Sequence, residues 1–317
     1  MVGTNVWPFH NSYTSKTVQL INENASYHNI KHKTTIEEFN QFLDEPGEEI
    51  RENTFVVLDG EKVIAYQSLC FIKSDEFINV YSYGTVHYQY RRQGIGSLLL
   101  THTLMHLKER AEKENIKIIY NHMVWLNIDG QNQLAIKFKL AKYTDLLSYN
   151  WRKSNIPIPL PVLPKGYSFK RPTTEDAEYW AKIDNEAFSW RKNKSEIQKE
   201  NVIFEFNSLE FSPDFYILCL NERREPVGFI CGKEEGPQRG VISTLAVLPD
   251  YQGVGIGKAL LSEIMNRMQE HDINHIRLSV DANNPTSAIQ LYEKSGFKMG
   301  KRIIHYIYEM DPRKGLL

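Results

Sequence analysis

Cysteine is scarce in this 317-residue chain. The three that occur, Cys70, Cys219 and Cys231, are odd in number and lack metal-ligand spacing. That excludes a disulfide framework and a cysteine zinc site, and it leads us to expect reduced thiols in a cytoplasmic protein. Long apolar runs are missing too. Mean hydropathy is -0.45, and no stretch approaches the roughly 20 apolar residues of a membrane helix, so no membrane partner is expected. Met1 to His10 has no basic segment followed by an apolar one, so no signal peptide is expected either. Neither charge sign dominates: 38 Lys+Arg face 39 Asp+Glu, a net charge of -1. The basic footprint of a nucleic-acid binder is therefore absent from the chain as a whole. Hydrophobic residues make up 41% and charged residues 24%, which excludes wholesale disorder. The length favours two domains over one.

The chain is written twice. Arg91-Arg92-Gln93-Gly94-Ile95-Gly96-Ser97 has a counterpart in Gln252-Gly253-Val254-Gly255-Ile256-Gly257-Lys258. Gly94 corresponds to Gly255 and Gly96 to Gly257, both 161 residues on, with Tyr90 and Tyr251 and also Val86 and Val247 in register upstream. That period is too long for a solenoid unit and implies two copies of a whole domain. Between the copies, Pro157, Pro159, Pro161 and Pro164 hold 4 of the 13 prolines, a composition that gives an extended, stiff linker. The expected organisation is a first domain over 1–150, a linker over 151–164 and a second domain over 165–317.

Each copy alternates strands and helices around a central antiparallel run, so the fold class is a mixed α/β sheet. In the second copy Tyr167–Lys170, Phe215–Leu220, Val227–Cys231 and Val241–Leu248 read as strands. A helix capped at Thr173 or Thr174 runs to about Phe188. After the glycines, Leu260, Leu261, Ile264, Met265 and Met268 share a helical face, and Ile276, Leu278 and Val280 alternate as in a strand. Asn284 is expected to cap a last helix that starts at Pro285 and stops at Gly296. In the first copy Thr54–Leu58, Val63–Phe71 and Phe77–Val86 are strand-like. The helix after Gly96 is expected to bury Leu98, Leu99, Leu104, Met105 and Leu107. The opening, to about residue 34, is polar and shows no clear period.

A strand, a glycine turn and a helix in succession make an anion site from backbone N–H groups and the helix N-terminus. A phosphate-binding loop of the Gly-x-x-x-x-Gly-Lys-Ser/Thr type fails at Gln252 and Ala259. A dinucleotide Gly-x-Gly-x-x-Gly fails at Leu260 and Leu99. Gln/Arg-x-x-Gly-x-Gly fits both copies. With Leu245-Ala246-Val247 before the second loop, and Asn284, Ala288, Leu291, Tyr292, Gly296 and Phe297 after it, the sequence resembles the GNAT acyltransferase superfamily. The resemblance covers most of 165–312 in the second copy and is firm around 84–107 in the first. The tandem arrangement is similar to that of mycothiol synthase-like proteins.

The resemblance implies two tandem GNAT-like domains and acetyl-CoA, or a related acyl-CoA, as donor. Its pyrophosphate is expected on residues 252–258, with the pantetheine arm along Leu245, Ala246 and Val247. A backbone N–H near Ala246 or Val247 is expected to meet the thioester carbonyl as an oxyanion donor. Asn284 and Ala288 complete the expected cofactor set, and Tyr292 is the expected general acid. The acceptor is an amine on a small molecule or peptide. The family's usual β4 carboxylate is missing, because Ser243 and Val241 stand at its positions. Glu234, Glu235 and Glu186 are more simply solvated, so the base stays open, a water relay included.

In the first copy, matching Ala135-Ile136 to Ala288-Ile289 puts Lys139 at the Tyr292 position, Tyr143 at Gly296 and Gln131 at Asn284. Loop residues 91–97 are intact. That copy is expected to bind CoA without turning it over, and the second to carry the chemistry. A non-catalytic CoA-binding or sensing module, or transfer of another acyl group, is the alternative. His102 and His106, four apart on one helix, lack a nearby Glu or a third ligand, and His28 and His32 lie in the polar opening stretch, so no metal is expected. Cys219 and Cys231 are read as buried hydrophobes. Phe188 and Trp190 are read as core or as an acceptor-pocket wall.

Overall fold

The computed structural model describes residues 5–30, 33–126, 128, 130–209 and 211–315. His32 lies outside the described residues, as does the start of the segment read for a signal peptide. The chain divides into two compact units. One comprises residues 1–144 and 304–317, and the other residues 145–303.

The first unit opens with β1 (Val6–Pro8), α1 (Thr14–Tyr27) and α2 (Ile36–Leu43). A meander of β2 (Thr54–Asp59), β3 (Lys62–Lys73) and β4 (Phe77–Val86) follows, then α3 (Ile95–Glu114), β5 (Lys117–Trp125), α4 (Gln131–Lys137) and the start of β6 (Ala141–Arg152). Strands β1 to β5 lie in sequence order, and β5 is next to residues of the chain's last strand. The polar opening is helical because α1 buries Thr14, Thr17 and Asn24 beside Val18 and Leu20. Its buried stripe is therefore partly polar. Asn24 donates to Thr85 Oγ1 (2.8 Å) and to the Val86 carbonyl (3.1 Å), partners that only the folded chain supplies. α3 buries Leu99, Leu100, Thr103, Leu107 and Ala111. Met105, expected inside, is 59% exposed. The face advances in fours from Leu99 through Thr103 to Leu107, and Met105 lies on the opposite side.

The second unit contains the remainder of β6, then β7 (Ser168–Lys170), α5 (Ala177–Ala187), α6 (Lys199–Phe206), β8 (Tyr216–Leu220), β9 (Pro226–Glu234) and β10 (Arg239–Val247). It continues through α7 (Ile256–Glu270), β11 (His275–Asp281), α8 (Ala288–Lys294) and β12 (Lys298–Met310), whose last residues belong to the first unit. The prolines at 157–164 lie in neither helix nor strand. Within the unit the order is β6-β11-β10-β9-β8-β7, with β6 antiparallel to β11 from Leu146 to Arg152. Thr173 and Asp176 form a reciprocal cap before α5.

The core of this unit packs Leu260, Leu261, Ile264, Met265 and Met268 of α7 against Ile217, Ile230, Ile276 and Leu278 of the sheet. Helix and sheet meet closely over Gly232. A Cβ there would collide with the Val241 carbonyl and come within 2.8 Å of Met268 Cε. Gly232→Ala is therefore expected to cost about 3 kcal/mol, read as a lower denaturant midpoint with unchanged slope. An unmoved midpoint would contradict this packing.

Candidate active site

Each unit has a parallel strand pair that starts together and then separates. In the first, β4 and β5 pair from Phe77↔Lys117 to Tyr81↔Asn121 and no further. In the second, β10 and β11 pair from Arg239↔His275 to Val241↔Arg277. Beyond these points Ser82–Val86 and Ile242–Val247 face an opening in the sheet. Leu248 N–H donates to the Val227 carbonyl at 2.9 Å. Antiparallel alternation then turns the amides of Leu245 and Val247, and not that of Ala246, toward the opening. The first unit repeats this, with His87 N–H on the Ile64 carbonyl at 2.8 Å.

The loops close on the ends of those strands. Gln252 Nε2 donates to the Val247 carbonyl (2.9 Å), and Arg91 Nε to the Val86 carbonyl (3.3 Å). The first residue of each motif thus fixes the loop to its strand. Gly255 and Gly94 hold φ of +96° and +88° at the helix N-caps. This left-handed backbone strains any residue with a Cβ. The first intrahelical bonds run from Ala259 N to Gly255 O (3.0 Å) and from Leu98 N to Gly94 O (2.9 Å). The amides of Ile256, Gly257 and Lys258, and of Ile95, Gly96 and Ser97, precede them and have no helical acceptor. Neither helix carries an acid in its first turn, so its partial positive charge faces outward uncompensated. Arg92 takes the left-handed place of Gly253, with φ +63° against +79°. Val254 is exposed at the loop tip.

α8 starts at Ala288, three residues later than expected. Asn284 Oδ1 accepts from Thr286 N–H (2.8 Å) and from Thr286 Oγ1 (2.7 Å). It caps a turn in place of the helix, and Ala288 N–H donates to Thr286 Oγ1 (3.3 Å). The helix ends as expected at Gly296, with φ +87°. Tyr292 is 7% exposed, beside Phe297 and Tyr149. Burial pushes its phenol up to about 12, so it holds its proton at neutral pH.

The first unit corrects the sequence matching by four residues. Its helix ends at Lys139, with φ +56°, where the second unit has Gly296. Leu140 N donates to Ala135 O, and Phe297 N to Tyr292 O, both at 3.0 Å. Leu134 approaches Gly96 as Leu291 approaches Gly257, each at 3.7 Å from a built Cβ. Ala135, fully buried, therefore stands in the place of Tyr292, and Lys139 in that of Gly296, not Tyr143. A left-handed lysine hides the helix end from a sequence match.

Other expected residues have local partners. Glu235 pairs with Arg277 (2.5 Å) and Glu186 with Lys182 (3.9 Å). His106 Nε2 bonds Asn53 Oδ1 at 2.8 Å, and His102 packs on Phe55. His28 Nε2 meets Arg91 at 3.0 Å. Cys219 and Cys231 are buried. Phe188 packs on the α5–α6 core and stacks on Arg191, while Trp190 Nε1 is buried without a partner.

Sequence reasoning missed Glu205. It lies on α6, and burial raises its carboxyl above the usual range although Tyr216 donates to it at 2.7 Å. It also helps to raise the Cys231 thiol, and Cys231 is paired with Thr244 of β10. Glu205 stands between Phe204 and Phe206 of α6, and nothing in that local run shows that its carboxyl is buried against Tyr216.

Two loops with free amides, each below a parted strand pair, define an acyltransferase-type fold. The acetyltransferase (GNAT) family model matches twice, over residues 18–138 and 177–297, and the chain belongs to that family. It is 27% identical over 218 residues to a mycothiol acetyltransferase of Paenarthrobacter aurescens, covering 67% of this chain and 65% of that one. The chain thus spans just under two thirds of that relative's length. A mycothiol acetyltransferase of Saccharomonospora viridis is 26% identical over 276 residues, covering 82% of this chain and 86% of that one. Among solved structures, a tandem GNAT protein from the clavulanic acid biosynthesis pathway aligns with TM-score 0.73 at 15% identity, covering 97% of this chain and 99% of that one. A GCN5-related N-acetyltransferase from Sphaerobacter thermophilus aligns with TM-score 0.72 at 19% identity, over 97% of this chain and 96% of that one. No described helix is long and apolar enough to cross a membrane.

Proposed function

We propose that the protein transfers an acetyl group from acetyl-CoA to an amine of a small molecule or peptide, with the chemistry in the second unit. The observation that carries this reading is the alignment of three things there. They are the unpaired amides of residues 256–258, the opening beside Leu245 and Val247, and a protonated tyrosine at Tyr292. The loop amides receive the pyrophosphate. Gln252 and Gly255 shape the loop, and Gly253, Val254 and Gly257 leave room over it. The Val247 amide donates to the carbonyl oxygen as charge develops on it. Tyr292 supplies a proton to the departing sulfur.

An alkyl amine, with a pKa of about 10.4, must lose a proton to attack. We assign that proton to Glu205, whose raised carboxyl near Cys231 suits a base. Trp190 Nε1, buried without a partner, is a donor for the acceptor's polar groups.

Thiol release from acetyl-CoA with a panel of primary amines tests the reading. Release with at least one amine is expected. Glu205→Gln should lower its rate about 10²-fold or more with little change in acetyl-CoA affinity. Tight acetyl-CoA binding with no release across the panel would instead support a binding or sensing module.

A further inference from the structure

The first unit lacks a tyrosine on α4, yet a cavity of about 580 Å³ runs from its loop into the parted strands. Gly94, Gly96 and Ser97 line one end of it. Ser82, Tyr120 and His122 line the interior. These three strand residues carry a connected polar network. Thr103 Oγ1 donates to Gln67 Oε1 (3.0 Å), which turns Gln67 Nε2 toward Tyr120 Oη (3.4 Å). Tyr120 Oη also lies 2.9 Å from Ser82 Oγ and 3.1 Å from His122 Nδ1. With the His122 proton on Nδ1, Gln67 Nε2 and His122 Nδ1–H donate to the phenol and the phenol donates to Ser82. His122 Nε2 is then a lone-pair acceptor, and it is buried with no partner among the described residues. Burial lowers this imidazole to about 4, so it is neutral at pH 7 and its Nε2 lone pair is unprotonated. The corresponding strand of the second unit presents Leu278 and Val280, both buried in its core. The two copies thus place different chemistry in the same opening.

We propose that the first unit is a second acyl-transfer centre, in which His122 is the base and the acceptor is an uncharged nucleophile, a hydroxyl or a neutral amine. This rests on the reading that both loops bind an acyl-CoA. The acceptor class follows from the lining. Among the described lining residues none is a carboxylate, while Arg91, Arg92 and His28 are basic or titratable to a cation. Such a wall does not recruit an ammonium. In the step, the acceptor's oxygen or nitrogen bonds to the acyl carbon and its proton passes to His122 Nε2. The carbon–sulfur bond then breaks with its electron pair on sulfur, and the same proton leaves Nε2 for the thiolate. His122 returns to its starting state. Tyr120 is a positioning residue that holds Nδ1.

The test uses the full chain carrying Tyr292→Phe, with acetyl-CoA as donor and hydroxylamine as a small uncharged nucleophile. Thiol release is measured above the protein-free rate. The expected result is residual release that falls at least tenfold when His122→Gln is added. Acetyl-CoA affinity and melting temperature should be unchanged. Tyr120→Phe should lower kcat at constant KM, which keeps the test valid if His122→Gln fails to fold. Residual release indifferent to His122→Gln and Tyr120→Phe would overturn the proposal. So would no residual release while calorimetry still counts a site lost on Gly94→Val, which would leave the first unit as a binding site only. If the chain with Tyr292 intact also releases no thiol, the acetyl-CoA reading itself fails, a result distinct from both.

Discussion

Replacing Tyr292 with phenylalanine is expected to reduce kcat with acetyl-CoA and an amine by about 10² to 10⁴, the usual range for a removed general acid. Acetyl-CoA affinity should hardly change. The phenol lies in an apolar setting with Phe297 and Tyr149, and no hydrogen bond among the described residues holds its hydroxyl. Removing one oxygen there creates no unsatisfied partner, so folding should tolerate it. The sign of the pH dependence follows from the same burial. A phenol raised to about 12 stays protonated through neutral and mildly alkaline pH. Activity should therefore rise with pH as the base and the amine lose protons, with no fall from Tyr292 below about pH 10. A descending limb near pH 8 that vanishes in Tyr292→Phe would contradict this. So would a phenylalanine variant of undiminished kcat.

Gly255→Val is the second large effect. The position has φ +96° with open space around a built Cβ, so no clash disfavours valine in the free protein. The backbone does. A β-branched residue in left-handed conformation costs about 1–2 kcal/mol, and the loop relaxes by turning its amides off their common focus. Calorimetric titration with acetyl-CoA should then lose one site, with affinity there weakened about 100-fold. Gly94→Val, at φ +88°, should remove the other. Thiol release with alkyl amines that are protonated at pH 7 should follow Gly255 and not Gly94. If neither substitution moves the titration, the loops are only tight turns and the pyrophosphate assignment fails.

The pair of glycine loops was legible because a loop is a local object. A few neighbouring residues fix a left-handed cap, an exposed set of amides and the start of a helix, so Gly94 and Gly255 carry the same meaning in sequence and in space. The strands and the α7 face were legible for the same reason, since Leu260, Leu261, Ile264, Met265 and Met268 share a phase that needs no distant partner. The errors are equally local in form. The Asn284 side chain is held by Thr286, which delays α8. Lys139 adopts a glycine's conformation, and that moved the match of α4 by four residues.

Two copies of a mixed α/β domain, their order, and a tyrosine in the second that the first lacks are all written in local residue patterns. Which residues that tyrosine faces, and where each sheet ends, depend on contacts between distant segments. The first unit is completed by residues 304–317, and residues 145–152 lie beside β11 in the second. Pairing over such separations depends on backbone hydrogen bonds and burial, which are common to many sequences and leave no local pattern. The same holds for Asn24 on the β4 end, for Glu205 beside Cys231, and for His122 on Tyr120 in the cavity. Each is a polar side chain whose burial and partners arise only when distant segments meet. In the sequence they look like ordinary surface residues.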